Sequence, residues 1–227
     1  MNQLARKTEP EQDLNQLLHH AADVVLSEAK RQGATQCELS GYCHHGLSVT
    51  VRLGELETIE HENDRHFGVS VYFGHALGSA STNDLSDTSL VSIVDKACSM
   101  AKFTAEDPAS GLADADRLAR QRPELDLNHP WAIDAYQATD LAIECEQAGR
   151  DVDARITNSE GATVTTGQSI TIYANSHDFI AGFEKTRHSI VCSLLAEEDG
   201  QMATNYWYDE ARNHDLMAAG ADIGHQA

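Results

Sequence analysis

Hydrophobic residues in the N-terminal part of this chain follow two different repeats. Before Gly33, apolar side chains recur at helical spacing, which is typical of a helix with one buried face. From Thr35 to Ser81 they alternate with polar side chains, as on a half-buried strand. A second helical repeat follows the cap region Asp84–Asp87. The order helix, sheet, helix predicts a compact α+β unit.

Particular positions carry these predictions. A capping box at Thr8 and Glu11 is expected to start the first helix. The expected buried positions of the two helices are Leu14, Leu17, Leu18, Ala21, Ala22, Val25 and Ala29, and then Leu90, Val94, Ala97, Cys98 and Ala101. The strand signals are Leu47, Val49 and Val51, Leu56 and Ile59, and Val69, Val71 and Phe73. Turns are expected at Gly46, Gly54, Asn63-Asp64 and Gly74, which gives an antiparallel meander.

A domain boundary is expected between Glu106 and Pro130, where the repeats stop and prolines and charges collect. Beyond it, residues 133–148 have helical spacing. Strands are predicted at 154–157, 163–165, 170–173 and 189–195, with turns at 158–161 and 175–178. The prediction is therefore an α+β fold of two mixed domains, residues 1–125 and 126–227, each with an antiparallel sheet flanked by helices.

The string His61-Glu62-Asn63-Asp64-Arg65-His66 has the letters of a zinc motif, in which two imidazoles hold the metal and a glutamate activates water. Residues five apart diverge on a regular helix and face opposite sides of a strand. Only a hairpin turn at residues 63–65 would bring the two histidines together. A polar hairpin end with solvated histidines is the favoured interpretation, and a surface metal site is the alternative. The pairs His19-His20 and His44-His45 are expected to be solvated as well.

Composition excludes several classes of partner. The chain of 227 residues has 16 basic and 36 acidic residues, a net charge of −20, which repels nucleic acids and anionic lipid headgroups. No apolar run is long enough for a membrane span or a signal peptide. Five scattered cysteines suggest neither disulfides nor a zinc knuckle. A cytoplasmic protein without direct nucleic-acid or membrane contact is expected.

Two further groups of residues are candidates for function. Cys145 and Cys192 stand among apolar residues, which favours buried packing over a role as nucleophile. Tyr206, Trp207 and Tyr208 are consecutive aromatics, which anchor peptides when exposed and pack a core when buried. They are the candidate substrate-binding residues, although core packing is the more common outcome. No phosphate-binding loop, dinucleotide fingerprint or nucleophile elbow is present.

Several segments carry a resemblance to a known family. They are Arg52–Glu57, Phe67–Gly74, the helix entry Asp84–Ser86, the tetrad Asn158–Gly161, Ala181–Phe183, Met202–Tyr208 with Arg212, and the helix start at Ile223-Gly224. In this order they resemble the first and middle domains of the TldD/PmbA metalloprotease family, on the PmbA (TldE) side. Family members continue for about as many residues again, so the resemblance implies that a C-terminal domain follows in the parent protein.

The resemblance also implies a role. In this family the TldD-type subunit holds zinc on a helix beyond the equivalent of residue 227, so no catalytic residue, metal ligand or cofactor is expected in this chain. PmbA-type chains pair with a TldD-type subunit, or form homodimers, around a chamber that admits unfolded peptides such as peptide-antibiotic leaders or labile antitoxins. The chain is expected to be the non-catalytic part of such a metallopeptidase. The alternatives are a regulatory protein-binding module without proteolytic role and, last, a peptidase with its own metal at His61 and His66.

Overall fold

The fold was obtained as a computed structural model, which describes residues 11–119, 121 and 123–227, with side chains in the first helix from residue 15 onward. The helices are α1 (Glu11–Arg31), α2 (Asp87–Ala101), α3 (Ala135–Arg150) and α4 (Gly220–Gln226). The strands are β1 (Gln36–Arg52), β2 (Glu55–Phe73), β3 (Ala76–Thr82), β4 (Ile156–Asn175), β5 (Phe179–Glu198) and β6 (Gln201–Ala211). They hydrogen-bond in the order β3-β2-β1-β4-β5-β6. The predicted α+β class is confirmed.

The chain divides into two compact units, neither of which is continuous in sequence. Of the described residues, unit 1 comprises those in the ranges 11–43, 64–124 and 170–183, and unit 2 comprises residues 44–63, 125–169 and 184–227. Residues 44–63 thus pack in unit 2 and residues 170–183 in unit 1, whereas the sequence predicts two consecutive domains. The difference from two consecutive domains arises because β1, β2, β4 and β5 are 17 to 20 residues long. Each of these strands contributes one part to each unit.

In unit 1, one face of α1 and α2 packs on alternate residues of β1, β2 and β4. The predicted face of α1 is confirmed for Leu18, Ala21, Ala22, Val25 and Ala29, which are fully buried. The predicted capping residue Thr8 and the side chain of Leu14 lie outside the described residues. Helix α2 begins after Ser86, where the carboxylate of Asp84 accepts hydrogen bonds from Ser86 and Ser89. These hydrogen bonds, above all that from Ser89, lower the pKa of Asp84.

In unit 2, helix α3 packs on the other parts of β1, β4 and β5. Its N-terminus has a capping box, in which Asp134 and Gln137 exchange side-chain to backbone hydrogen bonds. The predicted face of α3 is confirmed, because Ala138, Ala142 and Cys145 are buried. The remaining buried hydrophobic residues of this core are Leu47, Val49, Val51, Ala162, Val164, Ile190, Cys192, Leu194 and Ile223.

The strands are longer than the sequence predicted. The turns at Gly54, at Gly74 and at residues 175–178 are confirmed. Gly46, Asn63-Asp64 and the tetrad 158–161 were wrongly predicted as turns, because β1, β2 and β4 run through them without interruption. Glycine and asparagine favour turns only where no neighbouring strand supplies partners for the backbone, and here such partners are present.

Candidate functional site

The H-E-x-x-x-H string lies in the middle of β2. The predicted hairpin at residues 63–65 is wrong, because β2 is a continuous strand from Glu55 to Phe73. His61 and His66 are five positions apart on this strand, and side chains at such a spacing point to opposite faces. The geometry therefore does not bring the two imidazoles together. Among the residues that the structure describes, no three histidine, cysteine or carboxylate side chains are grouped to hold a metal ion.

The prediction that the histidine pairs are solvated is confirmed for His19, His20 and His45, which are exposed, but His44 is half-buried. Its Nδ1 lies 3.0 Å from Ser169 Oγ and its Nε2 lies 3.0 Å from Glu62 Oε2. The imidazole covers Gly167, where a Cβ atom would be 2.7 Å from His44 Cε1. Local sequence patterns do not predict this contact, because the three polar residues come from three different strands.

Tyr206, Trp207 and Tyr208 lie on β6 and are 60%, 47% and 56% exposed. The interpretation of these residues as core is therefore wrong. The register pairs Trp207 with buried Cys192, whereas Tyr206 pairs with Ser193 and Tyr208 with Val191. Directly opposite residues share a face, so the two tyrosines lie on the face away from the core of unit 2. Their rings stack, with centroids 6.5 Å apart and an angle of 16° between the planes.

Strand β6 is also the last strand in the hydrogen-bonding order. It pairs with β5 on one side along its whole length, from Gln201 to Ala211. On its other side, no strand of the described chain pairs with it. An edge strand of this kind presents backbone N–H and C=O groups that another extended chain can pair with. The stacked tyrosines and this free edge together form what we call the β6 edge.

Buried Glu146 connects α3 to the turn between β1 and β2. The N–H groups of Leu53 and Gly54 donate to its two carboxylate oxygens at 2.8 and 2.7 Å. Both turn residues have positive φ angles, 54° and 80°, so their N–H groups can converge on one acceptor. Arg52 Nε donates to the carbonyl of Ser159 at 2.9 Å. The segments Arg52–Glu57 and Asn158–Gly161 thus have a structural role in unit 2.

The charge and shape of Glu146 are both required by this turn. We expect Glu146→Gln to lower the free energy of unfolding of unit 2 by about 2 kcal/mol, because the amide NH₂ group cannot accept from a backbone N–H and one of the two charge-assisted hydrogen bonds of the buried side chain is lost. Urea unfolding followed by tryptophan fluorescence measures this change, since Trp131 and Trp207 both lie in unit 2. Glu144→Gln, at an exposed position of α3, is the control. Equal midpoints for the two variants would contradict this role of Glu146.

Unit 2 contains a cluster of histidine and tryptophan side chains that no local sequence pattern predicts. His188 is 1% exposed, and its ring nitrogens contact Thr166 Oγ1 at 2.8 Å and the carbonyl of His129 at 3.0 Å. Burial lowers the pKa of His188. His214 stacks on Trp131 with ring centroids 4.8 Å apart. Both nitrogens of His188 are occupied, so its arrangement is that of a neutral packing residue.

The cysteines are all free and buried, as the sequence indicated for Cys145 and Cys192. The hydrogen bond with Cys145 and burial raise the pKa of Cys192. Burial likewise raises the pKa of Cys37, to about 12. The thiols of Cys192 and Cys37 therefore stay protonated and are poor nucleophiles.

None of the helices in the described part of the chain has the length and apolar character that crossing a bilayer requires.

The comparisons with known proteins identify the family. Residues 128–227 match the sequence profile described as PmbA/TldA metallopeptidase central domain, and residues 43–101 match PmbA/TldA metallopeptidase domain 1. A metalloprotease PmbA homolog of Haemophilus influenzae is 36% identical over 214 residues, which are 94% of this chain and 46% of the relative. Metalloprotease PmbA of Escherichia coli O157:H7 is 39% identical over 187 residues, 82% of this chain and 41% of that protein. The chain thus spans less than half the length of these curated relatives.

Solved structures share the fold. A candidate modulator of DNA gyrase from Bacteroides thetaiotaomicron has a TM-score of 0.83 at 19% identity, over 92% of this chain and 48% of its own. TldE from Thermococcus kodakarensis has a TM-score of 0.74 at 14% identity, over 91% of this chain and 46% of its own. Together with the sequence matches, these similarities show that the chain belongs to the PmbA/TldD metallopeptidase family, on its PmbA (TldE) branch.

Proposed function

We propose that this chain is a non-catalytic, peptide-presenting part of a cytoplasmic metallopeptidase assembly, in which a TldD-type partner subunit holds the zinc ion. The observation that carries the proposal is the β6 edge, which exposes Tyr206 and Tyr208 beside a free strand edge. The divergence of His61 and His66 on β2 argues against the alternative in which these two residues hold a metal ion. The substrates of the assembly are unfolded peptides, such as peptide-antibiotic leaders or labile antitoxins.

The β6 edge suits an extended peptide for two reasons. Backbone groups of the peptide can pair with the edge independently of sequence, which gives affinity without strict specificity. The stacked rings of Tyr206 and Tyr208 offer a rigid apolar surface to side chains on one face of the added strand. A folded protein keeps its strands paired internally, so the edge selects for unfolded chains.

We expect Tyr206→Ser with Tyr208→Ser to weaken peptide binding about tenfold, because exposed aromatic anchors dominate the energy of such interfaces. The probe is a fluorescein-labelled, unfolded casein fragment, and its affinity is measured by fluorescence anisotropy. Tyr136→Ser is the matched control, since Tyr136 is 84% exposed in the same unit but lies on α3. An unchanged affinity in the double variant, or an equal loss in the control, would place peptide binding elsewhere.

The alternative is a regulatory module that binds a partner protein through its acidic surface and has no proteolytic role. The net charge of −20 is the observation that favours it. This alternative predicts a steep loss of partner binding with salt, unaffected by a TldD-type subunit. Peptide pairing along a strand edge depends mainly on backbone hydrogen bonds, so its affinity changes little with salt.

A further inference from the structure

A second open surface lies in unit 1, on the polar face of its strands. A groove of about 570 Å³ is formed there by side chains from β1, β2, β3 and β4. We call it the Glu38 groove, and its polar lining consists of Glu38, Ser40, Ser70, Ser79, Ser81 and Tyr173. The neighbouring positions on the same strands, such as Cys37, Leu39 and Val69, are buried in the core. The groove therefore lies on the face opposite to the core, where small side chains leave room for a ligand.

Glu38 is the charged group of this lining. Tyr72 OH donates to its Oε1 at 2.8 Å and Tyr173 OH donates to its Oε2 at 2.9 Å. Asn175 Nδ2 in turn donates to the Tyr173 hydroxyl at 3.3 Å. The two phenols fix the carboxylate and leave a further lone pair on each oxygen. Burial, and then the hydrogen bond to Glu38, raise the pKa of Tyr72, so this phenol keeps its proton and remains a donor.

Among the described residues, the Glu38 carboxylate forms no ion pair with a positively charged side chain. Its hydrogen bonds come from the two uncharged phenols. A partly buried carboxylate held in place beside an open groove is a favourable partner for a cation. The ring of Tyr173 lines the same groove and can stack on a planar cation. Serine hydroxyls nearby can accept additional N–H donors.

A guanidinium group fits these features better than an ammonium group, because it is planar, presents several N–H donors and stacks on aromatic rings. We propose that the Glu38 groove binds the guanidinium group of an arginine side chain from an extended polypeptide. The excess of acidic residues in this chain favours such a basic partner. This proposal rests on the proposed function, because an arginine site would make the chain prefer peptides that contain arginine. Its test, however, needs neither a partner subunit nor a cleavage assay.

The test is an NMR titration of the ¹⁵N-labelled chain with N-acetyl-arginine amide, with N-acetyl-citrulline amide as the uncharged isostere. Saturable shifts are expected for the arginine compound at the amides of Gly68, Ser70 and Ser79, and none for citrulline. Glu38→Gln keeps the shape of the side chain and removes the charge, so the affinity is expected to fall about tenfold or more. Glu57→Gln, an exposed carboxylate in unit 2, is the control and is expected to bind as the unchanged chain.

A second variant, Ser79→Leu, tests the groove itself, since Ser79 is exposed and a larger side chain fills the space while Glu38 remains. We expect it to abolish the shifts. The proposal is overturned if the unchanged chain shows no saturable shifts, if citrulline binds equally well, or if Glu38→Gln retains full affinity. The Tyr206→Ser and Tyr208→Ser variant is expected to bind N-acetyl-arginine amide with unchanged affinity. The proposals for the Glu38 groove and for the β6 edge can therefore be tested separately.

Discussion

Replacing Gly224 by alanine is expected to lower the free energy of unfolding of unit 2 by about 3 kcal/mol, since inserting a methyl group between backbones forces them apart. A Cβ atom at this position would lie 1.9 Å from the carbonyl oxygen of Cys145 and 3.0 Å from the amide nitrogen of Gly149. Both of these atoms are backbone of α3, so no side chain can turn away. Urea unfolding followed by tryptophan fluorescence measures the loss.

Gly220→Ala is the matched control for Gly224→Ala. Gly220 is the first residue of the same helix, and a Cβ atom there would meet the side-chain tip of Leu141 at 3.0 Å. A flexible side chain can move, so we expect a change within about 1 kcal/mol. A small effect at Gly224 as well would show that α4 does not pack on α3 as closely as described.

Gly78→Ala is expected to destabilise unit 1 by a similar amount, about 3 kcal/mol. A Cβ atom on Gly78 in β3 would lie 2.0 Å from the carbonyl oxygen of Ala97 and 2.6 Å from the amide nitrogen of Ala101. Helix α2 would have to lift from the strand. The change is measured as faster reaction of the Cys98 thiol with a disulfide reagent, because Cys98 is 1% exposed on this helix.

Gly68→Ala serves as the control in unit 1. Gly68 lies on the neighbouring strand β2, and a Cβ atom there would be 3.6 Å from His66 Nε2, an ordinary contact. In the Gly68→Ala variant, the Cys98 thiol should react at the same rate as in the unchanged chain. If Cys98 reacted as slowly in the Gly78→Ala variant as in the unchanged chain, β3 would not pack closely on α2.

Much of the fold follows from local patterns in the sequence. The faces of α1, α2 and α3 were predicted because helical spacing of apolar residues depends only on neighbours in the chain. The lengths of β1, β2 and β4 were not predicted, since Gly46, Asn63-Asp64 and Asn158–Gly161 have turn composition but lie within paired strands. Strand pairing joins residues far apart in sequence, and it overrides the local preference. The interleaved units follow from the same long strands.

The candidate sites were less predictable than the fold. Tyr206 and Tyr208 were identified from sequence, but their exposure depends on the position of β6 at the end of the strand order. The Glu38 groove, the contact of His44 with Ser169 and Glu62, and the role of Glu146 at the turn all join distant residues. Residue spacing within one segment of the sequence does not reveal contacts between residues of different segments. The H-E-x-x-x-H string shows the converse, because its letters suggest a metal site that an extended strand does not allow.

We propose that this chain presents peptides and that a TldD-type subunit carries out the cleavage. The most direct measurement is cleavage of unfolded casein by this chain alone, by a TldD-type subunit alone and by both together, each with and without a chelator. We predict no cleavage by this chain alone and chelator-sensitive cleavage by the mixture, which the Tyr206→Ser and Tyr208→Ser variant should diminish. Chelator-sensitive cleavage by this chain alone would show that it holds a catalytic metal site of its own, contrary to the proposed non-catalytic role.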